Sequence, residues 1–244
     1  MNSMEFGPDC PIEVKRASMI HRWDELTFLH WSYDPAIVQA LLPDGLTVDT
    51  YDGRAWVGLV PFMMEVRAGR GPALPWISHF CETNVRTYAT APDGTRGVWF
   101  LSLDAARLAA VVTARVTYRL PYYWSSMTLD HREDTISYRC RRRWPGPRGA
   151  RSDVSMNIGE SYSPGELSEF DHWLTAQWRL FSSSRRGLRY ALAQHPPWIL
   201  HRVEPTRIDD ELIEAAGLPT PTGDPICHWS PGTEVRIGFP LRLC

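Results

Sequence analysis

Glu82, Asn84, Arg86 and Tyr88 stand two residues apart, so in an extended strand the four side chains share one face. A carboxyl, an amide, a guanidinium and a phenol on one surface can move a proton and hold an anion. An arbitrary antiparallel strand would turn such a face to solvent or into a charge ladder, and the spacing of Glu82 from Arg86 also admits a plain ion pair. Further along, Arg115 lies at helical spacing from Leu108, Val111 and Val112, and Tyr122-Tyr123 follows Leu120-Pro121. A phenol, with an ordinary pKa of about 10, can donate to a developing enolate, or act as an acid where a cation such as Arg115 or Arg119 lowers that value. As plain aromatics the two tyrosines would only fill volume. Imine chemistry needs an amine, and the single lysine, Lys15, sits in a polar stretch where nothing lowers its pKa.

His30 in Leu-His-Trp and His195 before Pro-Pro-Trp belong to no His-x-His or His-Glu-x-x-His pattern, so both read as structural histidines and no metal is expected. A Gly-x-Ser-x-Gly elbow, a P-loop and a Gly-x-Gly-x-x-Gly turn are all missing, which argues against serine hydrolase, NTPase and dinucleotide chemistry. No cofactor is expected.

The elements that must position these groups follow from local signals. Residues 26–31 read as a strand, and Asp34-Pro35 opens a short helix closed by Pro43-Asp44-Gly45. Residues 46–50 and 55–62 form a hairpin about Asp52-Gly53; 69–75 is a Gly/Pro loop; 82–90 and 97–103 form a second hairpin about Pro92-Asp93-Gly94. Asp104 is placed to cap a helix from 105 to about 118, ended by Leu120-Pro121. Strands follow at 127–129 and 136–142, turning at 131–134. Ser163-Pro164-Gly165-Glu166 matches a capping box, and its helix would carry Leu167, Phe170, Leu174, Trp178 and Phe181 on one face. A strand at 198–203, a helix at 209–216 ended by Gly217, and a strand at 234–243 complete the chain. Many short strands and few helices predict an α+β, β-dominated fold, an antiparallel sheet curling on itself with helices outside. One domain over residues 1–244 is expected, with residues 1–22 as a polar lead.

A hydrophobic content of 43% in 244 residues suffices for a packed core, and 26 basic against 28 acidic side chains exert no pull on nucleic acid or an anionic membrane. The run Arg139-Cys140-Arg141-Arg142-Arg143, with Trp144, Arg148 and Arg151, is the basic cluster; strand alternation splits it between two faces, which reads as a solvated strand end. Without a signal-peptide core or a membrane-length apolar run the expected location is cytoplasmic, and the scattered cysteines 10, 81, 140, 227 and 244 read as reduced thiols.

Ordered blocks resemble the YqjF-like family of uncharacterised proteins, within the acetoacetate decarboxylase superfamily. They are Phe28-Leu29-His30-Trp31, Leu42-Pro43-Asp44-Gly45-Leu46, the stretch from Asp52 to Phe62, Glu82 to Tyr88, Trp99 to Ala105 and His195-Pro-Pro-Trp198. In the superfamily an arginine precedes a proline by six positions, as Arg115 precedes Pro121, so its catalytic lysine pair falls on Tyr122 and Tyr123. Ala114 and Val116 replace the glycine and glutamate that flank that arginine. The resemblance implies a β-cone or barrel enclosing a small-molecule cavity, with Glu82 inside it and Arg115 available to a substrate carboxylate. The expected activity is binding of a keto acid or similar carbonyl compound. An acid–base lyase, hydratase or isomerase step would use Glu82, Tyr122 and Arg115, with Arg86, Tyr88, Tyr123, His30 and Trp99 as substrate contacts. The alternative is a non-catalytic binder that keeps the cavity but not the reaction. Either form is compatible with a homo-oligomer.

Overall fold

A computed structural model describes residues 7–68, 78–163, 165–184 and 187–243. The expected loop at 69–75, Pro164 and Cys244 lie outside the described residues.

The long strand β1 (Met19–Tyr33) leads into a five-residue helix α1 (Pro35–Gln39), whose first free amide, on Ala36, is taken by the Asp34 carboxylate at 2.8 Å. Short strands β2 (Thr47–Val48) and β3 (Thr50–Tyr51) precede β4 (Arg54–Ala68). The β3–β4 turn is Asp52-Gly53, with both residues at positive φ (49° and 72°), the backbone a two-residue hairpin needs. β5 (His79–Thr90) and β6 (Arg96–Ala105) form the second expected hairpin, in which Asp93 accepts from the Thr95 amide.

The second half departs from expectation in its detail. Asp104 caps no helix: it is still in β6, with its carboxylate buried, and helix α2 (Leu108–Thr117) starts without a side-chain cap. The strands around 131–134 run on, as β7 (Tyr122–Arg132) and β8 (Thr135–Trp144), because Glu133 at φ 50° lets the chain reverse in a two-residue turn. Strand β9 (Arg151–Ser161) was not anticipated. Ser163 and Glu166 do bond, yet helix α3 (Glu169–Thr175) begins later, at a second capping box in which Ser168 and Asp171 satisfy each other's amides. The backbone leaves the helix at Ala176 (φ −90°, ψ 79°), so Trp178 follows it and Phe181 sits on β10 (Arg179–Ser184), which pairs with β11 (Gly187–Gln194). β12 (His201–Asp210), α4 (Leu212–Ala215, followed by Gly217 at φ 100°), β13 (Ile226–Ile237) and β14 (Leu241–Arg242) finish the chain.

Strands β5, β6, β7, β8, β9, β12, β13, β1 and β4 close into a ring, since β4 pairs with β5 and β5 with β6. The pairing is antiparallel apart from β6 with β7 and a single contact of β10 with β6. No helix among the described residues is long and apolar enough to cross a membrane.

Two bulges decide which side chains face inward. In β1 an extra residue sits near Glu25 (φ 55°), which shifts the register against β4 between Asp24 and Leu29. Because side chains alternate with period two, the inward set changes parity there, from Met19, His21 and Trp23 to Leu26 and Phe28. In β6 the register shift opposite Val85 and Arg86 does the same, from Val98 and Phe100 to Leu103. β5 has no such switch of parity, and Ser78, Phe80, Glu82, Asn84 and Arg86 all point inward.

Candidate active site

The ring encloses a cavity of about 350 Å³, at the small end of the range for ligand pockets. Its polar end is the even-numbered face of β5. Glu82, Asn84, Arg86 and Tyr88 are all buried, so this face is neither solvated nor a charge ladder. The first three line the cavity; Tyr88 lies behind them.

Glu82, 1% exposed, accepts a hydrogen bond from the Tyr122 hydroxyl at 3.0 Å. Burial pushes its carboxyl up to about 8, against hydrogen bonds from Tyr122 and Asn84 that favour the charged form. Near neutral pH the protonated acid predominates, with a usable carboxylate fraction. Tyr122 is moved well above its ordinary value by burial and by Glu82, so it remains a phenol. The cation invoked to lower its pKa is not the dominant influence; a carboxyl is its partner.

Arg86, 8% exposed, has no carboxylate within ion-pair distance among the described residues, so the Glu82 to Arg86 ion pair does not form. One Nη2 hydrogen bond reaches the Leu174 carbonyl at 3.2 Å, Nε has no partner, and the guanidinium lies 5.4 Å from the Phe28 ring centroid and 5.9 Å from that of Tyr88. Leu174 belongs to the last turn of α3, whose free carbonyls point this way. The Tyr88 hydroxyl donates to the same carbonyl at 2.5 Å, which leaves it to accept from His30 Nε2 at 2.7 Å. His30 is thus the Nε2–H tautomer, with Nδ1 unpartnered and its pKa held well below the ordinary value by burial and by Arg86. Gly58 makes room: a Cβ there would stand 2.9 Å from His30 Nε2 and 3.5 Å from Arg86 Cγ.

His195, unlike His30, lines the cavity, between Trp178 and Trp198 at centroid distances of 4.5 and 4.4 Å. Burial, reinforced by Arg86, pushes it down to about 4 despite the 2.7 Å contact of Nδ1 with the Pro196 carbonyl. A neutral imidazole facing a carbonyl donates, so Nε2 is left as an acceptor. At neutral pH the polar end therefore carries one uncompensated charge, that of Arg86.

Arg115 is placed differently from expectation. It does not line the cavity; its Nη1 donates to the Tyr122 carbonyl at 2.6 Å and its guanidinium lies 5.6 Å from the Trp144 ring centroid. The side of α2 that faces the cavity is Ala109, Ala110, Thr113 and Ala114, while Leu108 and Val112 are exposed. Arg115 thereby ties α2 to the start of β7 and positions Tyr122. Tyr123, one residue on, points to the other face of the strand, with the Arg142 guanidinium 3.7 Å from its ring centroid. Trp99 likewise faces away, packing with Phe181, because Val98 and Phe100 take the inward positions.

Beneath Tyr123, Arg142 and Asp104 form an ion pair with both side chains fully buried: Nε to Oδ1 at 2.9 Å and Nη2 to Oδ2 at 2.6 Å. Ser125 donates to the same carboxylate at 2.6 Å. The basic run is therefore not wholly a solvated strand end, since Arg142 turns inward while Arg139, Arg141 and Arg143 stay outside. Asn84, Phe28, His195 and Trp198 were not among the anticipated site residues. The signal for Asn84 was its place on the Glu82 face; for His195 and Trp198 it was their shared block.

Comparison with known proteins gives the same architecture. The chain resembles an acetoacetate decarboxylase-like enzyme from Sphingomonas wittichii RW1 with a TM-score of 0.66, at 14% identity and covering 96% of each chain. Acetoacetate decarboxylase from Legionella pneumophila matches with a TM-score of 0.61, at 12% identity over 96% of this chain and 92% of that one. The enduracididine biosynthesis enzyme MppR, in complex with pyruvate, matches with a TM-score of 0.62, at 12% identity over 91% and 89%. These likenesses establish the fold. In sequence, the chain is 34% identical over 231 residues to the uncharacterised protein YqjF of Bacillus subtilis (strain 168), covering 92% of this chain and 91% of the relative. Residues 21–234 match the family DUF2071, described as an uncharacterised conserved protein, and with that extent of agreement the chain belongs to it.

Proposed function

We propose that this protein binds a small anionic carbonyl compound, with Arg86 holding the anion and Glu82 and Tyr122 serving acid–base chemistry at the carbonyl. The observation that carries this reading is a buried guanidinium without a carboxylate partner, lining the same cavity as a carboxyl that burial pushes up to about 8. Burying a charge is unfavourable unless it is paired, and a ligand carboxylate bound through two parallel hydrogen bonds is the natural partner of a free guanidinium edge. A carboxyl poised near 8 can take a proton as carboxylate and return it as acid around neutrality. In the simplest step the Glu82 carboxylate removes a proton from the carbon next to the carbonyl, the enolate oxygen accepts a hydrogen bond from Tyr122, and the proton returns to carbon. That is an isomerase-type reaction without an imine. The fold likeness to a pyruvate-bound enzyme supports a carbonyl acid as ligand.

A second reading is a non-catalytic binder, favoured by the aromatic wall of Trp23, Phe28, Phe62 and Trp198. A thermal-shift screen of carbonyl acids finds the ligand under either reading, since whatever binds the folded state raises the Tm. Turnover of that ligand should drop at least a hundredfold in Glu82→Gln and in Tyr122→Phe. Unchanged turnover in both would remove these roles. Borohydride with a carbonyl acid should label nothing.

A further inference from the structure

The register of β4 against β5 orders the cavity wall into levels. Gly58 stands opposite Arg86, Val60 opposite Asn84, Phe62 opposite Glu82, and Met64 opposite Phe80. Each level is two residues from the next, or about 6.6 Å along the strand. Glu82 and Arg86 are the only Asp, Glu, Lys or Arg residues among the described lining residues, and both belong to the inner levels. Beyond Glu82 the wall is uncharged and mostly apolar: Phe80, Met64 and Trp23, then Val66 and the Ala109, Ala110 and Ala114 side of α2, with Ser78, Thr113 and Tyr118 as its hydroxyls. His21, on that outer part, is pushed down to about 4 by burial and adds no charge. Exposure rises in the same direction, since Phe28 and Val60 are buried while Met19, Trp23 and Val66 are partly exposed. The cavity thus runs from a cationic inner end to an uncharged apolar arm of about 13 Å, from the Glu82 level to that of Ser78, four residues away.

Resting on the proposed anion binding at Arg86, we infer that the ligand class is an amphipathic monoanion. It is a carbonyl acid whose carboxylate meets Arg86 and whose unbranched aliphatic or arylalkyl tail runs past Asn84 and Glu82 toward Phe80 and Met64. Three-carbon acids would leave the arm unfilled. The small side chains of α2 give the tail its space: Ala109, Ala110 and Ala114 present little more than backbone to the cavity.

The test is direct binding to the full-length protein of 2-oxo acids from pyruvate to 2-oxodecanoate, alongside 1-octanol. Affinity should rise by about fourfold per methylene until the arm is full, the tenfold-per-1.4 kcal/mol equivalent of burying one methylene. Ala110→Trp, which fills the arm, should flatten this dependence. Arg86→Met should weaken every acid and leave 1-octanol untouched. Equal affinity for pyruvate and 2-oxooctanoate, with both still dependent on Arg86, would overturn the inferred tail and leave the anion site standing. Acids and 1-octanol binding alike, with Arg86→Met changing neither, would retain the arm and remove the anion reading. Failure of every compound to bind would overturn both.

Discussion

Arg86 and Arg142 are two guanidiniums buried in the same ring, and they are treated in opposite ways. Arg142 is matched on Nε and Nη2 by Asp104, with Ser125 also donating to the carboxylate and the Tyr123 ring covering the cation, while its Nη1 is without a partner. Arg86 has a single backbone carbonyl, two aromatic neighbours and an unpartnered Nε. The first arrangement has its charge paired within the fold and joins β6, β7 and β8; the second lacks a carboxylate and lines the cavity. A buried cation whose partner the fold supplies is structural. One whose partner the fold withholds points to a ligand.

The largest effects should come from breaking the Asp104 to Arg142 pair. Asp104→Asn leaves Arg142 buried and uncompensated, and should cost about 3–5 kcal/mol in urea unfolding. Arg86→Met removes a cation that has no protein carboxylate, and by the same measurement should be neutral to about 2 kcal/mol more stable without ligand. Destabilisation of both variants alike would erase the distinction.

Comparable in size is the pH dependence of Glu82. Its folded pKa, about 8, lies above the ordinary 4.5, so the folded state keeps a proton that the unfolded chain releases. Stability from this group is fully present below about 4.5, falls as pH rises toward 8, and is level beyond, a total of about 4–5 kcal/mol. Glu82→Gln should lack this decline, so wild type and variant should diverge most above pH 8. Parallel curves would mean that the carboxyl is not desolvated. A smaller effect is expected from Tyr122→Phe, about 1 kcal/mol, with the Glu82 pKa rising further because a bond to its charged form is lost. Smaller again, Arg115→Met should cost up to about 1 kcal/mol. If Arg115 only positions Tyr122, that variant should lower kcat for any substrate with little change in KM.

How much of this was legible in the sequence depends on range. Turn chemistry is local, so Asp52-Gly53 and Pro92-Asp93-Gly94 marked both hairpins and thereby the strand that carries Glu82 and Arg86. The bulges near Glu25 and opposite Arg86 are not local, and each reverses the inward parity of its strand; Trp99 was misplaced for that reason. The Asp104 to Arg142 pair spans three strands, and a lone aspartate before an apolar stretch looks like a helix cap until its partner is known. Arg115 is misplaced by the apolar stripe of α2, of which Val111 is buried while Leu108 and Val112 are exposed. The cavity is met instead by alanines, which the hydrophobic pattern does not distinguish from a surface.

An anion site at Arg86 should show itself in ligand-induced stabilisation measured across pH. A carbonyl acid at a hundred times its Kd should stabilise the wild type by about 2.7 kcal/mol at pH 7. That gain should shrink above about pH 8, where Glu82 ionises in the same cavity as the bound anion. In Arg86→Met it should be absent at both pH values. Equal stabilisation of wild type and Arg86→Met, unchanged from pH 7 to 9, would contradict the account.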